Sequence, residues 1–367
     1  MTPLGIIVVG LGARAQYWLR VIAASPDCDV VGLVDPLPAA RERALAQCPG
    51  ALAAADLAEV VGKVDADAVL LATPPGGREQ QLELAIAARL AILAEKPLAD
   101  SVETAARYVV MAEQAGVPLM VGLNFRYLPV TRALMRLLET EVGPPEFARF
   151  TYERWRDGRL PRLNKYPLTM TQPMLWEQSI HHFDLMRFVY RAEPVEIFAK
   201  TFNPSWSMYA DDANVSALIT FDNGVIVTYH GTWASNWANL GFEWRTECAR
   251  GIVRQADQFG GLSYALRADR TLTPVALPPY EQWIDDAVAL LAAFVGALRG
   301  QHPLPCSGTD HLRSLRMVEA CILSSQTRRA IDPADLDPGA AERGSSRSAR
   351  RGHRRAGLLD PRLPQNG

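Results

Sequence analysis

The N-terminal stretch Ile6–Ala15 restricts the fold more than any other part of the 367-residue chain. Its apolar run ends at Gly10 and Gly12, and an amphipathic stretch follows, which predicts a buried parallel strand, a tight turn and a helix. A second apolar run, Val30–Val34, ends at Asp35, where a carboxylate can accept hydrogen bonds from a ribose. Strand, glycines, helix and carboxylate together predict a dinucleotide-binding Rossmann domain. A carboxylate at Asp35 repels a 2′-phosphate, so the pattern favours NAD over NADP.

Apolar strands continue to alternate with amphipathic helices as far as residue 123, and this alternation predicts a doubly wound parallel sheet. The further predicted strands are Asp67–Thr73, Leu90–Ala94 and Val117–Gly122. The predicted helices are Ala39–Gln47, Glu79–Arg89 and one that Ser101 caps and that runs to Gln114, before Gly116. In such a sheet, ligands collect at the carboxyl ends of the strands.

From Asn124 onward the strand signals follow one another without helices between most of them. They are Phe147–Tyr152, Val195–Thr201, Asn214–Phe221, Val225–Trp233, Phe242–Cys248 and Gly251–Gln255. A hairpin turn at Asp222–Gly224 indicates antiparallel pairing. The predicted helices of this part are Leu128–Glu141, Gln172–Tyr190, Ile284–Arg299 and Thr309–Arg328.

The whole chain is therefore predicted to be an α/β protein with two domains. Residues 1–123 form the Rossmann domain, and residues 124–332 form an α+β domain with a large, mostly antiparallel open sheet. Residues 333–367 are expected to be a disordered basic tail, since the stretch Gly344–Gly357 is rich in Ser, Arg and Gly. This tail is either a dispensable terminus or a basic interaction segment.

Composition argues against several classes of protein. Hydrophobic residues make up 49% of the chain, but no apolar stretch is long enough to span a bilayer. Seven arginines lie after Pro338, so the preceding body is acidic, which argues against nucleic-acid binding. The five cysteines are scattered and the chain opens on a strand, which favours a cytoplasmic location. No cluster of metal ligands is apparent in the sequence.

Two groups of residues could carry chemistry. Glu177, His181 and Asp184 are four and three residues apart on a predicted helix, so they are expected to share one face. A histidine with a carboxylate four residues before it can act as a general base, or the pair can be a structural cap or packing pair. Lys96 follows a sheet strand and precedes Pro97, where its ammonium could polarise an oxygen, or it is a surface lysine.

These motifs, together with Glu95-Lys96-Pro97 and Asn124-Phe125-Arg126-Tyr127, resemble the glucose-fructose oxidoreductase, inositol dehydrogenase and MocA family over about residues 4–330. The resemblance implies a catalytic group of Lys96, Glu177 and His181, in which His181 is the base, Lys96 stabilises the oxyanion and Glu177 orients His181. In this sequence Glu177 replaces the usual aspartate. Arg89 also stands near the place of a usual glycine. The resemblance further implies a homodimer or homotetramer through the second sheet.

The residues expected to contact NAD lie in the glycine turn or after strands of the first sheet. They are Gly10, Gly12, Ala13, Arg14, Asp35, Thr73, Pro74, Glu95, Lys96 and Asn124. The residues expected to contact a carbohydrate-like substrate are Lys96, Arg126, Trp155, His181, Asp184 and His230. The alternative, which the sequence favours, is that His230 is a buried structural histidine.

Aromatic and basic residues of the second domain give further clues to the substrate. One or two of its tryptophans are expected to line the pocket, from the set Trp155, Trp176, Trp206, Trp233 and Trp237. The loop Arg154–Tyr166 carries four arginines and a lysine. It could recognise a carboxylate or phosphate, or it could be a solvated loop at a subunit boundary.

The expected activity is hydride transfer between NAD and a secondary hydroxyl of a sugar, sugar derivative or cyclitol. The resemblance leaves two alternatives open. One is a glycosidase that retains NAD and acts by transient oxidation and elimination. The other is a sensor that binds a dinucleotide without catalysis.

Overall fold

A computed structural model describes residues 2–161 and 163–337 of the chain. The first part forms a wholly parallel sheet, as predicted, with six strands in the order β3-β2-β1-β4-β5-β6, of which β3 was not predicted from the sequence. Its strands are β1 (Leu4–Val9), β2 (Cys28–Val34), β3 (Leu52–Ala54), β4 (Ala68–Leu71), β5 (Ala91–Ala94) and β6 (Leu119–Val121). Its helices are α1 (Ala13–Ala23), α2 (Pro38–Leu45), α3 (Glu79–Ala87) and α4 (Val102–Ala115).

Burial and capping explain these elements. Strands β4 and β5 are buried at every residue because helices cover both faces of the sheet, which is why they are continuous apolar runs. Helix α4 begins where the Ser101 hydroxyl accepts the Thr104 N–H at 3.1 Å, and it ends at Gly116 with φ +65°. The strand order reverses at β1 and β4, so a crevice opens at their carboxyl ends.

The second part forms an eight-stranded sheet in the order β14-β13-β12-β11-β7-β10-β9-β8. Its neighbours are antiparallel except for β7 and β10, which confirms a mostly antiparallel sheet. The strands are β7 (Pro145–Glu153), β8 (Pro194–Phe202), β9 (Asn214–Phe221), β10 (Ile226–Thr232), β11 (Gly241–Cys248), β12 (Gly251–Asp257), β13 (Gly260–Leu266) and β14 (Thr273–Pro274). The helices are α5 (Pro129–Thr140), α6 (Ile180–Tyr190), α7 (Asp285–Leu298) and α8 (Gly308–Thr327).

The chain returns to the first sheet after building the second. Helix α7 packs on α1, and α8 packs on α4. Just before α8, the Cys306 carbonyl accepts the Val121 N–H at 2.8 Å, and Ser307 pairs with Met120 in an isolated bridge. This segment covers the outer edge of β6. None of the helices in residues 2–161 and 163–337 is both long enough and apolar enough to cross a bilayer.

Two predicted boundaries differ from the structure. The helix predicted at Gln172–Tyr190 is helical over residues 173–190 but not α-helical throughout, because Leu175–Ser179 is a π-helical turn that precedes α6, and Gln172, with φ +47°, lies outside the helix. The ordered body also continues past residue 332. Ile331 exchanges two backbone hydrogen bonds with Ile197, and a 3₁₀ turn at Pro333–Leu336 follows. The tail predicted beyond that turn lies mostly outside the described residues.

Candidate active site

A cleft of about 820 Å³ opens at the carboxyl ends of β1 and β4 and continues to the second sheet. All residues expected to bind NAD and all three expected catalytic residues line it. They are Gly10, Gly12, Ala13, Arg14, Asp35, Thr73, Pro74, Glu95, Lys96, Asn124, Glu177 and His181. One cleft therefore contains both groups.

The glycine turn is shaped for close approach of a ligand. Gly10 has φ +83°, and a Cβ there would lie 2.9 Å from the Thr73 methyl group, so only glycine fits without strain. A Cβ on Gly12 would meet nothing within 4 Å, which means that the backbone at Gly12 faces open space. Gly12 is also the N-cap of α1, whose first N–H groups are available to an anion. This end of the cleft fits a pyrophosphate.

Asp35 is fixed before any ligand binds. One carboxylate oxygen accepts the Leu11 N–H at 2.8 Å, and the other accepts the Leu37 N–H at 2.9 Å. The residue is buried except for a small part that faces the cleft. Arg41 donates to the Asp35 carbonyl oxygen at 2.6 Å rather than to its carboxylate. The carboxylate thus keeps lone pairs that can accept hydrogen bonds from ribose hydroxyls, and this arrangement fits NAD.

Lys96 joins the two domains across the cleft. Its ammonium donates to the Glu177 backbone carbonyl at 2.8 Å and to the Glu177 carboxylate at 3.2 Å. The other carboxylate oxygen of Glu177 accepts the Tyr166 hydroxyl at 2.8 Å. The Lys96–Pro97 peptide bond is cis. Lys96 is therefore held by Glu177, and Glu177 by Tyr166.

The expectation that Glu177 orients His181 is wrong for this structure. Glu177 bonds to Lys96 and Tyr166, and the His181 Nδ1 atom is buried without a hydrogen-bond partner in the described chain. The cause is the π-helical turn, in which hydrogen bonds run between residues five apart rather than four. A pair four apart, such as Glu177 and His181, loses the alignment of an α-helix there.

His181 is instead held by stacking. Its ring lies 4.1 Å from the Phe125 ring with an interplanar angle of 14°. Burial, followed by the positive charges of Lys96 and other nearby groups, holds the pKa of His181 well below its ordinary value. The imidazole is therefore neutral at neutral pH and can accept a proton. The adjacent His182 faces the second sheet, where its Nδ1 contacts the Tyr229 hydroxyl at 2.8 Å.

Glu95 has a structural role beside the cleft. Its carboxylate accepts Arg14 Nε and Trp18 Nε1, each at 2.6 Å. Burial opposes its ionisation, but the charge and hydrogen bond of Arg14 outweigh burial, so the pKa of Glu95 lies below its usual value. Buried Arg78 donates to the backbone carbonyls of Glu95 and Pro97 at 2.6 and 2.9 Å. These bonds fix the backbone on either side of Lys96.

Asn124 lines the cleft, but its side-chain amide is already bonded. Its Nδ2 donates to the buried carboxylate of Asp286, which also accepts the Tyr280 hydroxyl at 2.6 Å. Asn124 therefore connects the start of the second domain to α7.

Arg126 and Asp184 do not line the cleft, which corrects their expected contact with substrate. Arg126 Nε donates to the Asp184 carboxylate at 2.7 Å, and Asp310 also pairs with Arg126 at 2.6 Å. Ser314 donates to Asp184 at 3.1 Å. Asp184 lies on α6 against α8, and its buried carboxylate is fully engaged there.

Trp155 and His230 also lie outside the cleft, and strand alternation explains both. Trp155 pairs with Ala234 beyond the end of β7, and its two sequence neighbours face the cleft instead. His230 points from β10 to the uncovered face of the sheet, where it contacts the Ser216 hydroxyl at 2.9 Å. Both corrections concern the direction in which a side chain points along an extended segment, and the residue type alone does not give that direction.

Of the five tryptophans considered as pocket residues, Trp233 lines the cleft, whereas other lining residues were not predicted from the sequence. The cleft is also lined by Phe125, Tyr166 and Trp283. Tyr166 stands at the end of the basic loop, and Trp283 lies just before α7 with φ +69°. Neither residue belongs to one of the sequence motifs described above. Among the described residues, no group of three or more histidine, cysteine, aspartate or glutamate side chains could hold a metal ion.

Comparison with known proteins agrees with this geometry. Residues 4–123 match the oxidoreductase family with an NAD-binding Rossmann fold, and residues 131–254 match the GFO/IDH/MocA C-terminal domain. The chain is 26% identical over 345 residues to D-apiose dehydrogenase of Paraburkholderia graminis, covering 90% of each chain. It is 23% identical over 334 residues to inositol 2-dehydrogenase of Rhizobium meliloti, covering 89% of this chain and 98% of that one.

A solved structure with a similar fold is an oxidoreductase from Agrobacterium radiobacter in complex with NAD+, L-tartaric acid and magnesium. It shares 20% identity with this chain at a TM-score of 0.83, covering 91% of this chain and all of that one. At this identity the similarity concerns the fold alone.

Proposed function

Because the chain belongs to the Gfo/Idh/MocA oxidoreductase family, we propose that it is an NAD-dependent dehydrogenase of a sugar, sugar derivative or cyclitol. The reaction is transfer of hydride between the nicotinamide and a secondary hydroxyl carbon. The observation that carries the proposal is that Lys96 and His181 line the same cleft as the glycine turn and Asp35. A proton acceptor and a cation thus lie within reach of one bound dinucleotide.

Each protein group has a defined part in this proposal. Bound NAD+ supplies the hydride acceptor. His181, neutral because burial lowers its pKa, removes the hydroxyl proton. The Lys96 ammonium stabilises the negative charge that develops on the substrate oxygen. Glu177 and Tyr166 position Lys96 through the hydrogen bonds at 3.2 and 2.8 Å.

The first test is NADH formation followed by absorbance with the full chain, NAD+ and a panel of aldoses, uronic acids, glycosides and inositols. We expect Lys96→Met and His181→Asn each to lower kcat by about 10²- to 10⁴-fold. The dissociation constant of NAD+ should change little. Near wild-type turnover in both variants would contradict the assignment of the site.

Two other outcomes separate the alternative activities. Release of an aglycone from a glycoside without accumulation of NADH would identify a glycosidase that oxidises its substrate transiently. Tight NAD binding with no turnover in either assay would identify a dinucleotide sensor.

The uncovered face of the second sheet supports a homo-oligomer. Large apolar side chains are exposed on three adjacent strands, and they are Val195, Phe198, Phe202, Leu218 and Ile226. Such a face is unusual for a monomer. We expect sedimentation velocity to give a dimer or tetramer that Phe198→Glu weakens.

All five cysteines are free and buried, which suits a reducing cytoplasm.

A further inference from the structure

Two arginines lie side by side on the wall that the second domain contributes to the cleft. The chain stays extended beyond β7, where the Arg154 N–H donates to the Thr232 carbonyl at 3.0 Å and the Arg156 N–H to the Trp233 carbonyl at 3.1 Å. Residues two apart on an extended segment point the same way. Both Arg154 and Arg156 therefore line the cleft that contains Lys96 and His181.

Arg156 is buried, and within the described residues its guanidinium contacts neutral groups. It is 9% exposed, and its guanidinium lies 4.4 Å from the centre of the Trp233 ring. Its Nη1 donates to the Tyr209 hydroxyl at 3.2 Å, and Tyr209 in turn donates to the Arg156 carbonyl at 2.7 Å. An arginine has five N–H donors, so most of them have no partner in the described part of the chain.

Among the described residues, two other lysine or arginine side chains line the cleft, and both are paired with a carboxylate. Lys96 pairs with Glu177 at 3.2 Å, and Arg14 pairs with Glu95 at 2.6 Å. On the same loop Arg159 pairs with Asp157 at 2.8 Å. Within residues 2–161 and 163–337, no carboxylate forms an ion pair with Arg154 or Arg156. Of the described lysine and arginine side chains that line the cleft, Arg154 and Arg156 are therefore the two without a carboxylate partner.

From this arrangement we propose that the substrate carries a carboxylate, so that it is a sugar acid or cyclitol acid, and that Arg156 binds this group with help from Arg154. The inference rests on the proposed dehydrogenase function and names its substrate class. A buried charge is costly without an opposite charge, and an anionic substrate supplies one. A single planar guanidinium matches the two oxygens and single charge of a carboxylate.

The experiment compares acids with their neutral counterparts. The pairs are D-glucuronate with D-glucose, D-galacturonate with D-galactose, and D-gluconate with D-glucitol, with D-glucose 6-phosphate added. Turnover is measured with NAD+, and binding is measured by the change in fluorescence of the enzyme–NADH complex. We expect one acid to exceed its neutral partner by at least 100-fold in kcat/KM and in affinity.

Variants assign the effect to residues. Arg156→Met should lower kcat/KM for the acid by about 100-fold, mainly through KM, and should leave the dissociation constant of NADH within twofold. Arg156→Lys should recover part of the loss, because the charge remains while the planar fork is lost. Arg154→Met, at a more exposed position, should cost about tenfold. Arg159→Met on the same loop is the matched control and should behave as the wild type.

The outcomes separate this inference from the proposed function. If neutral compounds are oxidised as well as acids, or Arg156→Met weakens both equally, the carboxylate inference is wrong and the dehydrogenase stands. If no compound yields NADH, but an acid binds the enzyme–NADH complex and Arg156→Met removes that binding, the dehydrogenase is wrong and the carboxylate site stands. Absence of acid binding, or tighter binding of the sugar phosphate than of the acids, overturns the inference.

Discussion

At the scale of single residues, Asp35 shows how a local pattern can predict where a side chain lies. A carboxylate at the end of the second strand is a property of a short stretch of sequence, and the structure places it in the cleft with both oxygens bonded to backbone N–H groups. The side chain therefore needs no rearrangement to meet a ribose. A carboxylate at this place in a Rossmann domain would also repel the 2′-phosphate of NADP.

We expect Asp35→Asn to raise the dissociation constant of NAD+ by about 10- to 100-fold, because a hydrogen bond to a charged group is lost. The dissociation constant of NADP+ should change less or fall, since the repulsion of its phosphate is removed. Calorimetric titration with both dinucleotides measures the two values. The matched control is Asp29→Ala on the exposed side of β2. An equal loss of affinity for both dinucleotides in Asp35→Asn would contradict the assigned role.

At the scale of elements, the sequence predicted which segments form helices and strands better than it predicted which side chains of a segment share a face. The apolar runs of the first sheet predicted five of its six strands because continuous burial leaves a continuous signal, whereas the short and partly exposed β3 was not predicted. The π-helical turn at Leu175–Ser179 left no such signal, since buried residues continue on both sides of it. The partner of Glu177 was therefore predicted from an α-helical spacing to His181 that the π-helical turn removes, whereas His181 and Asp184 both lie in α6.

Asp184 offers a test of the corrected arrangement of α6. Asp184→Ala removes the hydrogen bonds that Arg126 donates to Asp184 but leaves Arg126 paired with Asp310, so the free energy of unfolding should fall by about 1.5 to 3 kcal/mol. Glu281→Ala, which removes an exposed ion pair with Arg20, should cost less than about 1 kcal/mol. Urea unfolding measures both. A raised KM in folded Asp184→Ala, without loss of stability, would instead support the original expectation of a substrate contact.

At the scale of the whole molecule, buried histidines make stability depend on pH. Burial lowers the pKa of both His182 and His311 to about 3, and it lowers that of His181 well below its ordinary value. Below about pH 6.5 the unfolded chain takes up protons at these positions and the folded chain does not. Acidification from pH 6.5 towards pH 3 therefore favours unfolding, whereas above pH 6.5 these groups contribute no pH dependence.

We expect His311→Gln to reduce this dependence, because it removes one of the groups that only the unfolded chain protonates. A shift from about 6.5 to about 3 implies a loss of about 2 kcal/mol per histidine between pH 7.5 and pH 5. In the variant, the free energy of unfolding measured with urea should therefore fall by about 2 kcal/mol less between pH 7.5 and pH 5 than it does in the wild type. Glutamine can still accept the Leu98 N–H that His311 accepts at 3.3 Å. An unchanged difference would show that His311 does not titrate in this way.

The cover that Cys306 and Ser307 place on the edge of β6 has a consequence for synthesis of the chain. When the first sheet leaves the ribosome, β6 has a row of unpaired backbone groups, and the segment that covers them has not yet been translated. An open strand edge is a template for pairing with other chains. The nascent protein is therefore most exposed to aggregation between translation of β6 and of Cys306, the interval in which a chaperone would protect it.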